Sequence, residues 1–261
     1  MTPSTVPGGT RPGGGHETVT TPDRCAAAEH GERASIRALL PPRPDSPLSL
    51  ALIEIEPMGT AQLGADRSRH ELAFVLEGDL TLQPSGAAHD VGPETAFLHD
   101  GVDGRLTVRA GEAGARLVVF GVSAEADEHA ALGERSRSVR LDLTDAGSAT
   151  GKRSFQVLLG PENGCCRATM FLGVVPPGAA PWHFHQYDEI VYTVSGGGTY
   201  HQAEGTQPTG PGSAVRITPR TVHINENGTD SDMYVLGVFT PAGSPSAAFL
   251  ADDPRAGADV G

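Results

Sequence analysis

The chain has 261 residues and a formal net charge of -13 at pH 7, a size that allows one large β domain or two small ones. Such a polyanion repels nucleic acid and anionic membranes, so we expect neither as a partner. No apolar run approaches the roughly 18–20 residues of a membrane-spanning helix. The three cysteines, with Cys165 next to Cys166, do not make a disulfide framework and favour a reduced, cytoplasmic setting.

Short runs of β-forming residues follow one another along most of the chain, each bounded by Gly, Pro, Asp or Ser. Runs such as "HELAFVLEGDLTLQP" and "DEIVYTVSG" have the alternation or β-branched content of short strands, and 34 Gly and 21 Pro suit frequent turns. This pattern predicts an all-β sandwich or barrel protein. The predicted segments are a flexible N-terminal tail (1–32), a first barrel (33–124), a linker with a short helix around Asp127–Arg137 (125–151), a second barrel (152–247) and a flexible C-terminal tail (248–261).

The two halves of the chain resemble each other. Glu71 and Gly78 are seven residues apart, as are Glu189 and Gly196, and the segments around them align with an offset of 118 to 120 residues. Internal duplication of this kind predicts two similar units. Each unit of roughly 110 residues is large enough to hold its own core.

A group of metal-ligand residue types lies in the second half, in the stretch "PWHFHQYDEIVYTVSGGG". His183, His185 and Glu189 are separated by two and four residues, so they share one face if the segment is a single extended strand. Such a face is costly to bury without a partner, and imidazole and carboxylate are both ligands for divalent metals. His223, on a later strand, is the expected fourth ligand, and His201 is the reserve ligand.

With these motifs the chain resembles the cupin superfamily, and its two halves resemble a bicupin. The first cupin motif, G-x5-HxH-x3,4-E-x6-G, is met by the two paired histidines, the glutamate and Gly196, although Gly178 is one residue closer than the pattern prefers. The second motif is matched in kind by Gly212, Pro219, His223 and Asn227, with Pro219 one residue too close to the histidine. The resemblance implies two tandem antiparallel jelly-roll barrels with one divalent transition metal held inside the second. Iron(II) is favoured, and manganese, nickel, zinc and copper also occur in such sites.

The first half departs from the metal motif. Ala65 and Arg67 stand where the second half has its paired histidines, and the counterpart of His223 falls near Asp103. We therefore predict that the N-terminal barrel binds no catalytic metal. Arg67 and Glu71 share a face, which predicts an internal ion pair in place of the metal; the alternative is that Arg67 lies in a solvated loop.

Strand alternation also predicts which residues surround the metal. Glu189 and Tyr187 are the candidate catalytic groups, and no Lys or Arg falls in phase with the ligands, which disfavours a phosphorylated substrate. We expect Arg167 and Arg216 at the surface. The predicted substrate-binding residues are Thr193, Thr221, Asn225, Asn227, Val191, Phe171 and Met170, of which one of the last two should line the pocket.

These residues favour a metal-dependent enzyme acting on a small organic molecule, with an Fe(II)-type dioxygenase as the first hypothesis. Few groups near the site could serve as a separate base, which favours oxygen chemistry over proton transfer. The alternatives are an isomerase, lyase or hydrolase that uses the metal as a Lewis acid, and a non-catalytic ligand-binding or storage bicupin. A homodimer formed through exposed sheet edges is the expected assembly.

Overall fold

A computed structural model describes residues 18–64, 69–102, 104–148 and 152–255 of the chain. Strands dominate these residues, and the helices among them are three short 3-10 turns at Pro22–Arg24, Leu143–Asp145 and Pro161–Asn163. Within the described ranges, no helix is both long enough and apolar enough to cross a bilayer.

The strands are β1 Val19–Thr20, β2 Ala28–Glu29, β3 Gly31–Leu40, β4 Leu48–Leu63, β5 His70–Glu77, β6 Leu80–Gln83, β7 His89–Val91, β8 Thr95–His99, β9 Leu106–Ala110, β10 Ala115–Val122, β11 Ser138–Arg140, β12 Gly147–Ser148, β13 Ser154–Leu159, β14 Thr169–Val175, β15 His183–Phe184, β16 Asp188–Ser195, β17 Gly198–Gln202, β18 Gly205–Thr209, β19 Ala214–Ile217, β20 His223–Asn227, β21 Met233–Thr240 and β22 Phe249–Leu250.

These strands form two antiparallel barrels in tandem, which confirms the predicted all-β fold of two jelly-roll units. Strands β2 to β11 make a ten-stranded sheet that curves around an apolar interior. The second barrel has two sheets, in the orders β1-β19-β16-β21-β14-β13-β12 and β18-β17-β20-β15-β22. The interior of the first barrel is filled with side chains that include Ile53, Val75, Leu80, Phe97 and Leu117.

The strand register reproduces the internal duplication. Glu71 on β5 lies opposite His99 and Gly121, and Glu189 on β16 lies opposite Ile217 and Phe239. Each residue of the second set stands 118 positions after its counterpart (71 to 189, 99 to 217 and 121 to 239). The offset found in the sequence therefore holds in the pairing of three strands.

The glycines that directly follow β5 and β16 have the same role in both barrels. Gly78 and Gly196 have φ values of 75° and 79°, a left-handed conformation that side chains disfavour. A Cβ on Gly78 would lie 2.1 Å from the carbonyl oxygen of Gly114, and one on Gly196 would lie 2.8 Å from Cα of Met233. The repeated glycine thus marks a tight turn that allows no side chain.

The two barrels pack through a shared apolar core. Alternate residues of β16, β14 and β21 point toward the first barrel, where they meet residues of β4, β5 and β10. The opposite phase of the same three strands faces the interior of the second barrel. The shared core includes Leu50, Phe74, Phe120, Met170, Leu172, Ile190, Tyr192 and Leu236.

Arg216, expected at the surface, joins the two barrels instead. Its Nη1 donates to Ser46 Oγ and to the carbonyl oxygen of Leu48, both at 2.6 Å, and its Nη2 donates to the carbonyl oxygen of Pro41 at 2.8 Å. Arg167 is partly buried as well, and its Nη1 donates to the carbonyl oxygen of Ala124 at 2.6 Å. The prediction that both arginines lie at the surface was wrong. Strand alternation shows which side chains point out of a barrel, but it does not show which of them the other barrel covers.

The linker contains no helix over Asp127–Arg137. Its backbone N–H groups are used by another segment: His129 donates to Cys166, Leu132 donates to Pro161, and Ser136 donates to Asn163. These long-range bonds replace the i to i−4 bonds that a helix would need. The predicted short helix is therefore wrong.

Both predicted tails are ordered in their described parts. Val19–Thr20 adds β1 to the edge of the second barrel by pairing with Val215 and Ala214, although it precedes the first barrel in sequence. At the other end, Phe249–Leu250 pairs with β15, and the Arg255 guanidinium lies 4.7 Å from the centre of the Trp182 ring. Val19–Thr20 and Phe249–Leu250, one segment from each predicted tail, thus both pair with strands of the second barrel.

Candidate metal centre

The four predicted ligand residues lie on three strands and one connection that meet inside the second barrel. His183 on β15 and His223 on β20 are directly paired neighbours in the five-stranded sheet. His185 follows in the connection to β16, and Glu189 lies on β16 in the seven-stranded sheet. The site therefore lies between the two sheets, and all four side chains are buried, with 2% to 8% of their surface exposed.

Three of the four residues have ligand atoms at distances suited to a single ion. Nitrogen atoms of His185 and His223 and a carboxylate oxygen of Glu189 all lie within 4.8 Å of one another. His183 is outside this tightest group, but its ring centre lies 4.6 Å from that of His223 and it lines the same cavity. The structure thus brings together the full predicted set, with His183 at its edge.

Backbone carbonyl groups orient all three imidazole rings in the same way. The Nδ1 atoms of His183, His185 and His223 lie 3.0, 3.0 and 2.8 Å from the carbonyl oxygens of Pro181, Tyr187 and Thr221, respectively. A carbonyl oxygen only accepts, so each Nδ1 carries a proton and donates it. Nε2 is left as the ligand atom on each ring, the arrangement usual for histidines that hold metals.

The pair of His185 and Glu189 provides a test of whether the site fits a cation. Nε2 of His185 lies 2.8 Å from Oε2 of Glu189. With its proton on Nδ1, a neutral His185 presents a lone pair at Nε2 toward the carboxylate oxygen, which is also an acceptor. Two buried acceptors at this distance repel each other unless a proton or a metal ion lies between them, so the donor set fits a divalent cation.

The electrostatic environment keeps two of the rings neutral. Burial, followed by the nearby His183, lowers the pKa of His223 well below its usual value, and burial lowers the pKa of His183. Burial also acts to lower the pKa of His185, but the adjacent Glu189 carboxylate outweighs it, so the pKa of His185 is raised. The neutral, metal-binding form of His183 and His223 is therefore favoured relative to a free imidazole, whereas the protonated form is favoured at His185.

The ligands form part of the wall of a cavity of about 100 Å³. This volume is several times the roughly 10–15 Å³ that one water molecule requires by the same measure. Most of the wall is apolar, and the polar groups besides the ligands include Arg153, Tyr187, Thr193, Tyr200 and Asn225. The chamber suits a small organic molecule.

The predicted substrate-binding residues divide into two groups. The side chains of Phe171, Val191, Thr193 and Asn225 line the cavity, as their strand phase indicated. Met170, the alternative to Phe171, packs in the core between the barrels. Phe171 is therefore the member of that pair on the cavity wall.

Thr221 and Asn227 do not line the cavity. The hydroxyl of Thr221 lies 2.9 Å from that of Thr218, and Thr221 contributes to the site only through the carbonyl group that orients His223. The amide nitrogen of Asn227 donates to the carbonyl oxygens of Val175 and Ser231, both at 2.7 Å. Placing these two residues in the pocket was wrong because Thr221 precedes β20 and Asn227, the last residue of β20, is used by the neighbouring turn.

Tyr187, the second candidate catalytic residue, lines the cavity and stacks on a ligand. Its ring lies 4.2 Å from the ring of His185, with 7° between the planes, and also 4.2 Å from Phe239. Burial, followed by the charge of Glu189, raises the pKa of the Tyr187 phenol far above its usual value. Tyr187 therefore stays protonated and helps to hold His185 in place.

Tyr200 is a cavity residue that the sequence pattern did not identify; its neighbour His201 was the reserve ligand. His201 lies outside the cavity, where its Nε2 is 2.7 Å from Oε2 of Glu226. The Tyr200 ring stacks on His223 at 5.9 Å, and its buried hydroxyl has no hydrogen-bond partner among the described residues. Tyr200 pairs directly with Asn225, so both side chains lie on the face of the sheet that borders the cavity. The sequence alone does not reveal this, because it does not give the register of the two strands.

Arg153 is the second residue that was missed, and it overturns the expectation of a pocket without a cation. It immediately precedes β13 and lines the cavity, and its Nη2 donates to the carbonyl oxygen of Asn225 on the facing sheet. Burial lowers its pKa to about 10, while Glu189 acts in the opposite direction, so the guanidinium is charged at neutral pH. No motif includes this position.

The first barrel has a different arrangement where the second has its ligands. Glu71, the counterpart of Glu189, accepts a hydrogen bond from the backbone N–H of Gly64 at 2.6 Å. Ala65, Arg67 and Asp103 lie outside the described residues, so the ion pair between Arg67 and Glu71 stays a prediction. In the described part of the chain, the group of His, Cys, Asp or Glu residues close enough to share an ion is the one in the second barrel.

Comparison with protein families gives one match, which lies within the second barrel. The cupin domain family model matches residues 171–239, which include all four candidate ligands. No curated protein matches the chain in sequence.

Several solved structures are similar to most of the chain. A single-residue mutant of oxalate decarboxylase from Bacillus subtilis superimposes with a TM-score of 0.70 at 14% identity, over 90% of this chain and 79% of that one. The protein Ylba from E. coli gives 0.67 at 13% identity, over 85% and 89% of the two chains. The putative glyoxylate induced protein from Pseudomonas aeruginosa gives 0.68 at 14% identity, over 90% and 94%. At these identities the likeness establishes the fold alone.

Proposed function

We propose that this chain, a two-barrel protein of the cupin superfamily, is a mononuclear metal-dependent enzyme that acts on a small organic molecule in its C-terminal barrel. The convergence of His185, Glu189 and His223 on the wall of a cavity inside the second barrel carries this proposal. His183 is the fourth proposed ligand because it pairs with His223 and has the same Nδ1 contact to a backbone carbonyl. A storage protein would not need oriented metal ligands next to a cavity that can hold a small molecule.

The residues of the chain hold and insulate the ion. The carbonyl groups of Pro181, Tyr187 and Thr221 fix the three rings, and Glu189 supplies the negative charge that partly balances a divalent cation. Apolar side chains limit the water around the site, which strengthens its electrostatic interactions. When bound, a divalent metal would supply a Lewis acid, and iron(II) would add the capacity for reaction with dioxygen.

The remaining titratable groups of the cavity favour a reaction that needs no separate general base. Besides the ligands, these groups are Arg153, Tyr187 and Tyr200. Burial raises the pKa of both phenols, and the guanidinium keeps its proton at neutral pH. A dioxygen-dependent oxidation with Fe(II) is therefore the leading reaction.

Tyr200 supports a second candidate. Its hydroxyl is buried in the cavity wall without a protein partner among the described residues, and it remains protonated. A positioned phenol can donate a proton to a substrate whose oxygen is polarised by a metal. This arrangement would suit an isomerase, lyase or hydrolase.

Oxygen consumption distinguishes the two reactions. Iron-loaded protein is incubated with a panel of small enols, diols, thiols and carboxylic acids, and dioxygen uptake and product formation are measured together, with His185→Ala as the control. Uptake that matches product formation supports the oxidation. Turnover under strict anaerobiosis supports the Lewis-acid reaction, and the absence of turnover with either iron or manganese would support a non-catalytic binding protein. We also propose that the protein is a cytoplasmic homodimer, which light scattering and cell fractionation would test.

A further inference from the structure

We propose that Arg153 binds a carboxylate group of the substrate, so that the C-terminal barrel accepts small carboxylate anions. This inference deepens the proposed function and rests on it for the position of the metal. Arg153 itself is identified by its own contacts, by the charge of the cavity and by the unpartnered polar atoms that surround it.

Arg153 is held where its guanidinium can contact a molecule in the cavity. It precedes β13 of the seven-stranded sheet, and its Nη2 donates to the carbonyl oxygen of Asn225 on β20 of the other sheet. This bond anchors one end of the guanidinium across the barrel. Ser154 and Phe155, the next two residues, also line the cavity, so the chain enters the barrel wall at this point.

Most of the hydrogen-bonding capacity of Arg153 is available to a ligand. A guanidinium has five N–H donors in a planar fork. Among the described residues, the Asn225 carbonyl oxygen is the acceptor that Arg153 contacts, and Glu189 is the acidic group that acts on its charge. The fork matches the two oxygens of a carboxylate, and a charged pair of this kind forms two parallel hydrogen bonds.

The charge balance of the cavity calls for an anion. Three neutral histidines and Glu189 carry a charge of about −1, and a divalent ion would bring the metal centre to about +1. Arg153 adds a further positive charge, which acts electrostatically on Glu189, His183 and His223. Two positive charges in a mostly apolar chamber are unfavourable, and a carboxylate between them would offset one of the two.

The other polar groups of the wall indicate what else the molecule carries. The hydroxyl of Tyr200 and the side-chain oxygen of Asn225 are buried and have no hydrogen-bond partners among the described residues. They would accept or donate one hydrogen bond each to a hydroxyl or amide group. A cavity of about 100 Å³ with one guanidinium fits a small hydroxy or amido acid better than a bulkier phosphorylated molecule.

Matched pairs of anions and neutral analogues test the inference. Binding of lactate and lactamide, and of malonate and malonamide, is measured by calorimetry on manganese-loaded wild type, Arg153→Gln and Arg153→Lys, with inorganic phosphate as a further probe. In the wild type we expect each acid to bind about tenfold to a hundredfold more tightly than its amide. Arg153→Gln should remove this preference, and Arg153→Lys should keep part of it because the charge remains without the fork.

The control variant is Arg109→Gln, which changes an exposed arginine on β9 of the first barrel and should leave the preference intact. The inference is overturned if the amides bind as tightly as the acids, if Arg153→Gln keeps the preference, if phosphate binds more tightly than the carboxylates, or if no carboxylate binds. If Arg153→Gln does not fold, the test uses Arg153→Lys. An unchanged preference of Arg153→Lys for the acids over the amides would contradict bidentate binding by Arg153.

The same measurement on metal-free protein separates the two proposals. A carboxylate preference that depends on Arg153 in a chain that binds no metal would support the inference and reject the proposed function. Metal binding and turnover of neutral substrates, unchanged by Arg153→Gln, would support the proposed function and reject the inference.

Discussion

His183 and His223 pair directly across two neighbouring antiparallel strands, and their ring centres lie 4.6 Å apart. Directly paired residues project from the same face of a sheet, so two short strands bring two imidazoles together without a loop. β15 is only two residues long and lies between β20 and β22. The C-terminal segment therefore stabilises the strand that carries His183.

Removing a ligand should remove the metal and leave the barrel folded. In His223→Ala we expect most of the bound metal to be lost, with a decrease of about 1–2 kcal/mol in the free energy of unfolding of the metal-free protein. The core between the barrels contains none of the ligands, so most of the stability persists. Metal analysis and urea denaturation measure the two effects. His201→Ala is the control and should keep its metal; unfolding of His223→Ala would indicate a structural metal.

Metal affinity should rise with pH and then level off. The pKa of His185 is raised overall because the Glu189 carboxylate outweighs burial, whereas the pKa values of His183 and His223 are lowered mainly by burial. One proton, that of His185, must therefore leave before the ion binds. Affinity should fall about tenfold for each pH unit below the raised pKa. Competition titrations with a chromophoric chelator measure this slope; an affinity independent of pH would contradict the account of His185.

Tyr200→Phe should separate activity from stability. The hydroxyl is buried without a partner in the described part of the chain, so its loss should change the free energy of unfolding by less than about 1 kcal/mol. If the phenol donates a proton to the substrate, the maximal rate should fall about a hundredfold or more. Tyr234→Phe, at the core between the barrels, is the matched control. Unchanged turnover in Tyr200→Phe would exclude the phenol as the acid.

Gly237→Ala should distort the site through packing alone. A Cβ at Gly237 would lie 2.3 Å from ring atoms of Phe171 and 3.1 Å from Oε1 of Glu189. We expect a loss of about 1–3 kcal/mol in stability and weaker metal binding, since one of these two side chains must move. Gly210→Ala is the control, because a Cβ there meets no heavy atom within 4 Å. Equal metal affinities of the two variants would argue against close packing at Gly237.

Arg216→Ala should weaken the contact between the barrels without affecting the metal. The change leaves the carbonyl oxygens of Leu48 and Pro41 without their charged donor. Loss of these bonds and of the bond to Ser46 should cost about 2–4 kcal/mol of unfolding free energy, as measured by urea denaturation. Metal content should equal that of the wild type. Arg109→Ala, at an exposed position of the first barrel, should be nearly neutral.

The sequence predicts the features that depend on short-range periodicity. Alternation and turn residues indicated two β barrels, and the paired glycines Gly78 and Gly196 fall at equivalent left-handed turns. Along β16, alternation correctly predicted that Glu189, Val191 and Thr193 face the cavity. The alternate residues of the same strand pack in the core between the barrels. These patterns are local because successive side chains of a strand point to opposite faces.

The sequence does not predict the features that depend on which strands become neighbours. Val19–Thr20 joins the second barrel from before the first, and no local pattern indicates that pairing. Arg153 reaches the cavity by crossing to the opposite sheet, and Tyr200 is assigned to the cavity only through its register with Asn225. The linker fails to form a helix because distant carbonyl groups take its N–H donors.

Metal stoichiometry tests the central claim most directly. Purified wild-type protein and His185→Ala are compared by inductively coupled plasma mass spectrometry after reconstitution with iron(II) or manganese(II) and removal of free ion. We expect close to one ion per chain in the wild type and almost none in the variant, since His185 belongs to the group whose ligand atoms lie within 4.8 Å of one another. Two ions per chain, no ion in the wild type, or equal occupancy in His185→Ala would contradict a single metal centre in the C-terminal barrel.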